Sequence, residues 1–481
     1  MLLGLDLGTT NVKALVTDFA GKRIAFGSCP VQLIFAGPEG VEQDIEEIWS
    51  ASLSAIKQAV QSIDASAVKA VGVSSQGGAL QITDRQHRPA GRVISWLDRR
   101  GKSFDAALTA ELGEEWFIER IGHNRSGLAV GQLMRLRSEL ADGAKLAGFV
   151  GDHIVRRLCG QAGHDGTSCS LTALYDPLKR DYAVEILRRI GIGREQLPRL
   201  CSPREPVGGL LPEIARATGL RAGIPVSPAV HDQYAAALAT GAVRAGTVMV
   251  GTGTAWVLLA VTDFKSRPVS NAAFSCHHVA EQLWGQIVSL INGGSALAWA
   301  LDLTGNGKKT NQDIDAILSS APAGCDGARC WPFLAPGNIT GVAAQTHGRL
   351  SGLKLSHGAP HILRAVVEGL ACELGRHLSF LRAAKIPVER LVLGGPGAGS
   401  DVTPQIIAGV TGLPVSGVAA EGGSPLGAAI IARGLCEPGT PLAVLSGQMA
   451  PGFRYVEADS NARLYHQLFE EYLRFLPLKN L

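Results

Sequence analysis

The sequence carries almost no excess of either charge sign: 45 Lys and Arg stand against 42 Asp and Glu, a formal net charge of +3. No basic run interleaves with aromatic residues, so a nucleic-acid surface is excluded. The nine cysteines are scattered without a CxxC pair, Cys325 and Cys330 being nearest. That argues against a zinc site and a disulfide framework, and fits a reducing compartment. The first residues, MLLGLDLG, lack a basic n-region, so no secretory signal is read. The longest uncharged run, 245–262, is too broken by Gly and Thr for a membrane span. The expectation is a cytoplasmic protein with neither membrane nor nucleic acid as partner.

What is present is glycine, 59 residues of it, much of it in GT, GG and GTG clusters beside apolar runs. Such clusters suit tight turns and close backbone approach to a ligand. Hydrophobic residues are 46% and charged ones 18%, a compact rather than disordered composition. At 481 residues the chain exceeds one ordinary core and should form two or three domains. Residues 2–18, LLGLDLGTTNVKALVTD, read as strand, Gly-Thr-Thr turn and strand; residues 247–263, TVMVGTGTAWVLLAVTD, read the same way. Gly8-Thr9 falls on Gly253-Thr254 and Thr17-Asp18 on Thr262-Asp263, which divides the chain near 243 as a duplicated fold would. Between the hairpins, 46–63 places Trp49, Leu53, Ile56, Val60 and Ile63 at helical spacing, with Asp44 as its cap. In the second half, 362–385 reads as a long helix and 388–395 as a strand entering a glycine loop. Strands alternating with helices argue an α/β fold. The more polar segment 100–225 is read as irregular decoration of the first domain.

Three glycine loops could carry chemistry. Asp6-Leu7-Gly8-Thr9-Thr10 with Lys13 offers amides, hydroxyls and a cation to phosphate, and a carboxylate to Mg²⁺; an ordinary hairpin turn is the plain alternative. Gly251-Thr252-Gly253-Thr254 and 393–400, LGGPGAGS, invite the same pair of readings. Two such loops at matching positions of two half-chains suggest a nucleotide held in a cleft between related domains. The stretch 225–242, PVSPAVHDQYAAALATGA, puts Asp232 at the first turn of an alanine-rich helix. It is either the helix cap or a carboxylate with chemistry to do.

Taken in order, these motifs resemble the FGGY carbohydrate kinases over almost the full length. DLGTTNVKALVTD is similar to that family's N-terminal phosphate hairpin, ISWLDRR (94–100) to its W-x-D-x-R segment, and HDQYAAALATG to its catalytic G-x-D segment. GTGT resembles the second phosphate loop, and 348–369, GRLSGLKLSHGAPHILRAVVEG, the C-terminal signature. GGPGAGSDVTPQIIAGVTGLPV and EGGSPLGAAIIA resemble the adenosine-binding loop and the helix behind it. The resemblance implies two actin-like, ribonuclease H-like domains, 1–243 and 244–481, with ATP between them. It implies phosphorylation of a terminal hydroxyl of a sugar or polyol, a ketopentose such as xylulose or ribulose foremost. Asp232 would be the general base, whether or not it also caps its helix. Gln76, Gly77, Gly78, Trp96, Asp98 and Gln233 would line the sugar. Thr9, Thr10, Lys13, Thr252, Gly253, Thr254, Gly294, Gly397, Ala398 and Asp401 would meet ATP, with Mg²⁺ near Asp6. Many such relatives pair as homodimers. His231 and His278 are read as structural.

The sugar side departs from the pattern. SSQGGALQ (74–81) keeps Gln76 but puts Gly77 and Gly78 where xylulokinases carry Met-His and glycerol kinases Arg-Glu. Either other residues hold the substrate, or the pocket is wider. SGLAVGQLMRLRSE (126–139) lacks the family's Lys and Trp, and WPFLAPGNITG (331–341) its Gly-Glu-Arg. A regulator of the same fold that has lost phosphorylation is the first rival. An actin-like or chaperone ATPase is the second, disfavoured by the W-x-D segment.

Overall fold

The computed structural model describes residues 1–141, 143–334, 346–417, 423–450, 452 and 454–476. The chain divides into two compact units. The first is Met1–Val243 with Phe274–Gly285 and Gly422–Ala450; the second is Arg244–Ala273, Gln286–Glu421 and Pro451–Leu481. Among the described residues no helix is long and apolar enough to cross a membrane.

The first unit is built on β1 (Leu2–Leu7), β2 (Asn11–Thr17), β3 (Arg23–Pro30), β4 (Val71–Ser75), β5 (Gly163–Asp165), β6 (Arg199–Cys201) and β7 (Pro225–His231), in the order β6-β5-β7-β4-β1-β2-β3. β1, β4, β7, β5 and β6 are parallel, and the β1–β2–β3 meander is antiparallel. β1 is buried along its whole length, as expected of a strand covered on both faces. Leu3, Leu5 and Leu7 point into a core with Val12, Ala14, Val16 and the helix α1 (Ile45–Val60). Asp44 caps α1 by accepting from the Glu46 N–H at 2.8 Å. Its buried stripe runs through Ile48, Ala51, Ala55, Ile56 and Ala59 rather than Trp49 and Leu53, which stay half-buried.

The opposite face of β1 and β4 explains why 422–450 folds with the first unit. A Cβ on Gly4 would collide with the Pro425 carbonyl, and one on Gly72 with the Ala428 carbonyl. Two bare strand positions therefore let the helix Gly423–Cys436 lie backbone against backbone on the sheet. The segment 100–225 is more ordered than its polarity predicts. Helices Lys102–Leu112, Glu114–Arg120 and Ala129–Arg135 share a core of their own with Leu80, Ile82, Phe149 and Ile186, and the segment also supplies β5 and β6. Elements of two to eleven residues leave too few apolar repeats for periodicity to reveal them.

The second unit repeats the opening hairpin. β8 (Thr247–Thr252) and β9 (Trp256–Thr262) match β1 and β2 in length, with three residues between them in each case. β8 pairs antiparallel with β9 and parallel with β10 (Arg390–Gly394), followed by β11 (Val415–Gly417) and β12 (Arg454–Val456). The long helix Ala359–Ala383 supplies Leu363, Val366, Leu370, Leu374 and Leu378 to its core. Buried in that helix, Arg376 bonds Glu373, whose Oε2 also accepts from the Tyr472 hydroxyl at 3.0 Å.

Candidate functional site

Strand register gathers the first group of candidate residues. Asp6 lies opposite Lys13 on β2 and Ser74 on β4, while Val230 and His231 on β7 align with Ser74 and Ser75. The carboxyl ends of β1, β4 and β7 therefore meet at one edge, the usual place for a ligand in an α/β sheet. Side chains alternate along β1, so Asp6 shares the face of Gly4. Its Oδ1 accepts from the Ser74 hydroxyl at 2.8 Å. Asp232 follows β7 directly as the first residue of the helix Asp232–Ala239. The capping position falls one residue earlier, on His231, and no side-chain cap bond forms. The cap reading of Asp232 is thus corrected: β7 extends through residue 231 and places the carboxylate one step inside the helix.

Electrostatics sets these two acids apart. Burial pushes Asp232 up to about 6, against the pull of Gln233 hydrogen bonds and Lys13. Burial and then repulsion by Asp232 push Asp6 up to about 7, with Ser74 and Lys13 opposing. Two carboxylates that repel each other, Asp6 buried and Asp232 with 27% of its side chain exposed, are a poor structural pair and a good oxygen donor set for a hard cation. Among the described residues no group of three or more His, Cys, Asp or Glu side chains could hold a metal. Mg²⁺ fits here only as an ion that keeps several waters, which is its habit.

A polar chain runs from the hairpin turn into the neighbouring strands. Thr9 Oγ1 donates to Gln76 Oε1 at 3.1 Å and accepts from the Trp96 indole N–H at 3.1 Å. Gln76 Nε2 donates to Gln43 Oε1 at 2.9 Å, and Gln43 Nε2 donates to the Thr9 carbonyl at 3.0 Å. Thr10 is exposed at the tip of the turn, and Lys13 and Gln233 are half-buried. Trp96 keeps 43% of its surface exposed, so core packing does not account for it. Asp98 has another duty. Its carboxylate takes the N–H groups of Val41 and Arg100, the Gln132 amide and the Arg100 guanidinium, and its side chain is fully buried. It pins the loop that presents Trp96.

Gly77 and Gly78 open no extra room. A Cβ on Gly77 would sit 2.6 Å from both His231 Cδ2 and Leu171 Cδ1. Gly78 has φ +76°, a left-handed turn position, and a Cβ there would meet Leu128 Cδ1 at 3.1 Å. Ser74 and Gln43 carried no signal as site residues in the sequence, because register alone sets Ser74 beside Asp6 and a hydrogen bond across the fold sets Gln43 beside Thr9. His278 is buried, its Nδ1 accepting from the Ala280 N–H at 2.9 Å.

The remaining candidates form a separate group in the second unit. Gly251 pairs with Gly394, so the β8–β9 turn and the loop after β10 lie side by side. Thr252 Oγ1 donates to the Gly394 carbonyl at 2.7 Å and accepts from the Gly397 N–H at 2.8 Å. Gly294, at the start of the helix Gly294–Leu303, donates to the Gly253 carbonyl at 2.9 Å, and Ser295 donates to the Thr254 carbonyl at 3.0 Å. The loop continues through Ala398, whose N–H reaches the Gly395 carbonyl, to Asp401, whose N–H donates to Asp315 at 2.7 Å. Three backbone segments rich in glycine converge there, as phosphate binding requires. Most of WPFLAPGNITG, and the first two residues of EGGSPLGAAIIA, lie outside the described residues.

Comparison with known proteins identifies a family and a fold. The FGGY family of carbohydrate kinases matches through its N-terminal domain over residues 1–239 and its C-terminal domain over 246–433. Xylulose kinase from Escherichia coli (strain K12) is 28% identical over 457 residues, 93% of each chain. Glycerol kinase from Gloeobacter violaceus is 30% identical over 86% of this chain and 84% of its own. In fold, gluconate kinase from Lactobacillus acidophilus is similar with a TM-score of 0.87, at 23% identity over 98% of this chain and 96% of that one.

Proposed function

The chain belongs to the FGGY family of carbohydrate kinases, phosphotransferases of actin-like fold, and from that premise we propose that it moves the γ-phosphoryl group of ATP to a terminal hydroxyl of a ketopentose such as xylulose or ribulose. The observation that carries this reading is Asp232. It is a carboxylate at the carboxyl edge of the sheet, pushed up to about 6 by burial, and so is ionised at neutral pH yet basic enough to accept a hydroxyl proton. Phosphoryl transfer asks little else of the protein than alignment and charge neutralisation. We assign Gln76, Gln233 and Trp96 to the sugar side, and Asp98 to positioning Trp96. Thr9, Thr10 and Lys13, with Thr252, Gly253, Thr254, Gly294, Gly397, Ala398 and Asp401, are assigned to the nucleotide. Asp6 would hold Mg²⁺ largely through water, and that ion would neutralise phosphate charge.

A regulator without catalysis draws its support from Gly77 and Gly78. That support weakens because His231 and Leu171 fill the space at 77 and the backbone demands glycine at 78. The test is ADP release with Mg-ATP across ketoses, alditols, aldoses and sugar acids, with Asp232→Asn as the blank. A ketopentose-dependent signal that falls by orders of magnitude in the variant, with ATP binding intact, is expected. Unchanged turnover in the variant removes Asp232 from the mechanism; silence across the panel favours the regulator.

A further inference from the structure

Thr9, Gln43, Gln76 and Trp96 share a circuit of hydrogen bonds whose direction is fixed at both ends. The Trp96 indole N–H can only donate, so Thr9 Oγ1 accepts from it. The single proton of the Thr9 hydroxyl then goes to Gln76 Oε1 at 3.1 Å. At the other end the Thr9 carbonyl can only accept, so Gln43 turns Nε2 toward it at 3.0 Å. That leaves Gln43 Oε1 to take the Gln76 Nε2–H at 2.9 Å. Turning the Gln76 amide over would set its oxygen against that of Gln43. Turning both amides over would set the Gln43 oxygen against the Thr9 carbonyl. Only one arrangement keeps every contact between a donor and an acceptor.

Gln43 is the anchor of this circuit. It is wholly buried at the end of the strand Gly40–Gln43, which pairs antiparallel with Val93–Ile94 shortly before Trp96. Gln76 is buried too, and its backbone N–H donates to the Leu7 carbonyl at 2.9 Å. Trp96 stands mostly outside the core, and its indole N–H reaches back to Thr9. A buried polar network of this kind rigidifies what it holds when every member is satisfied. Thr9 Oγ1 has given its one proton to Gln76 and has none left for a phosphate oxygen.

We propose that Gln43 is a positioning residue for the sugar side: through Gln76 and Thr9 it fixes the Trp96 indole, and the Thr9 hydroxyl serves this circuit instead of the phosphates. Thr9 is left its backbone N–H for the nucleotide. This rests on Gln76 and Trp96 lining the sugar.

Indole ¹H–¹⁵N spectra of tryptophan-labelled protein test the circuit without turnover. The Trp96 signal, assigned by its loss in Trp96→Phe, should exchange slowly with solvent and should lose that protection in Gln43→Met. A Trp96 N–H that exchanges like free indole, or that Gln43→Met leaves unmoved, would overturn the proposal. Thr9→Val keeps shape but removes the hydroxyl, and should lower kcat/KM for the sugar roughly 10- to 100-fold. ATP affinity by calorimetry should be unchanged in that variant, and Thr9→Ser should recover most of the loss. Weaker ATP binding in Thr9→Val with sugar kinetics intact would give the hydroxyl back to the phosphates and overturn the proposal. Ser and Val variants that fail alike would reduce Thr9 to packing. Should Gln43→Met not fold, exchange in the parent protein and the Thr9 pair still decide. The spectra stand even if no sugar is phosphorylated.

Discussion

Replacing Asp6 with asparagine should make the protein more stable, and more so as the pH rises. In the folded chain Asp6 is pushed up to about 7 from an ordinary value of 3.8, chiefly by burial and then by Asp232. A carboxylate raised in the folded state favours folding most at low pH. That contribution fades from near pH 4 upward and is gone once the pH has risen through about 7. At about 1.4 kcal/mol per unit, the whole span is roughly 4 kcal/mol, of which roughly 2–3 kcal/mol falls between pH 5 and pH 8. Asn keeps an oxygen for the Ser74 hydroxyl but carries no charge, so it escapes this loss. Scanning calorimetry in EDTA should show the advantage of Asp6→Asn growing between these pH values by about 2 kcal/mol, roughly 3–6 °C. Adding Mg²⁺ at pH 8 should stabilise the parent protein more than the variant. A gap that is constant, or that narrows with rising pH, would refute the burial argument.

The acid limb of kcat/KM for the sugar should fall near pH 6, because Asp232 must be ionised to accept a proton and sits at about 6. Lys13 holds that value down, so Lys13→Met should move the limb to higher pH; a limb that stays or moves lower would contradict the assignment. In the second unit, Arg376→Met leaves Glu373 buried without its guanidinium partner and should cost about 3–5 kcal/mol. The double change with Glu373→Leu should recover much of that loss, as chemical denaturation would measure.

What the sequence disclosed was local. The two hairpins were legible because each is a contiguous strand-turn-strand of matching length, and α1 because Asp44 and its apolar spacing announce it. Asp232 was visible as a choice between cap and chemistry, and strand length removes the cap alone: β7 runs one residue further than a cap at 232 would allow. Gln43 and Ser74 gave no sign of themselves, since their partners Thr9 and Asp6 lie tens of residues away in the chain. The double glycine at 77 and 78 misled for the same reason. An absent side chain reads as empty space until the residue that fills it, 154 positions later in the numbering, is known.

The helix Gly423–Cys436, seated on Gly4 and Gly72, bears on how the protein is born. When the ribosome has delivered residue 243, β1 and β4 still lack the cover for one face. At about 5–20 residues per second, the missing helix arrives roughly 10–40 s later. Through that interval the earliest strands made are the last to be finished, with an apolar, glycine-bared surface open to whatever else is in the cell. A chain cut at 243 would stay in that state. The unit that holds the proposed base is incomplete as the first half alone.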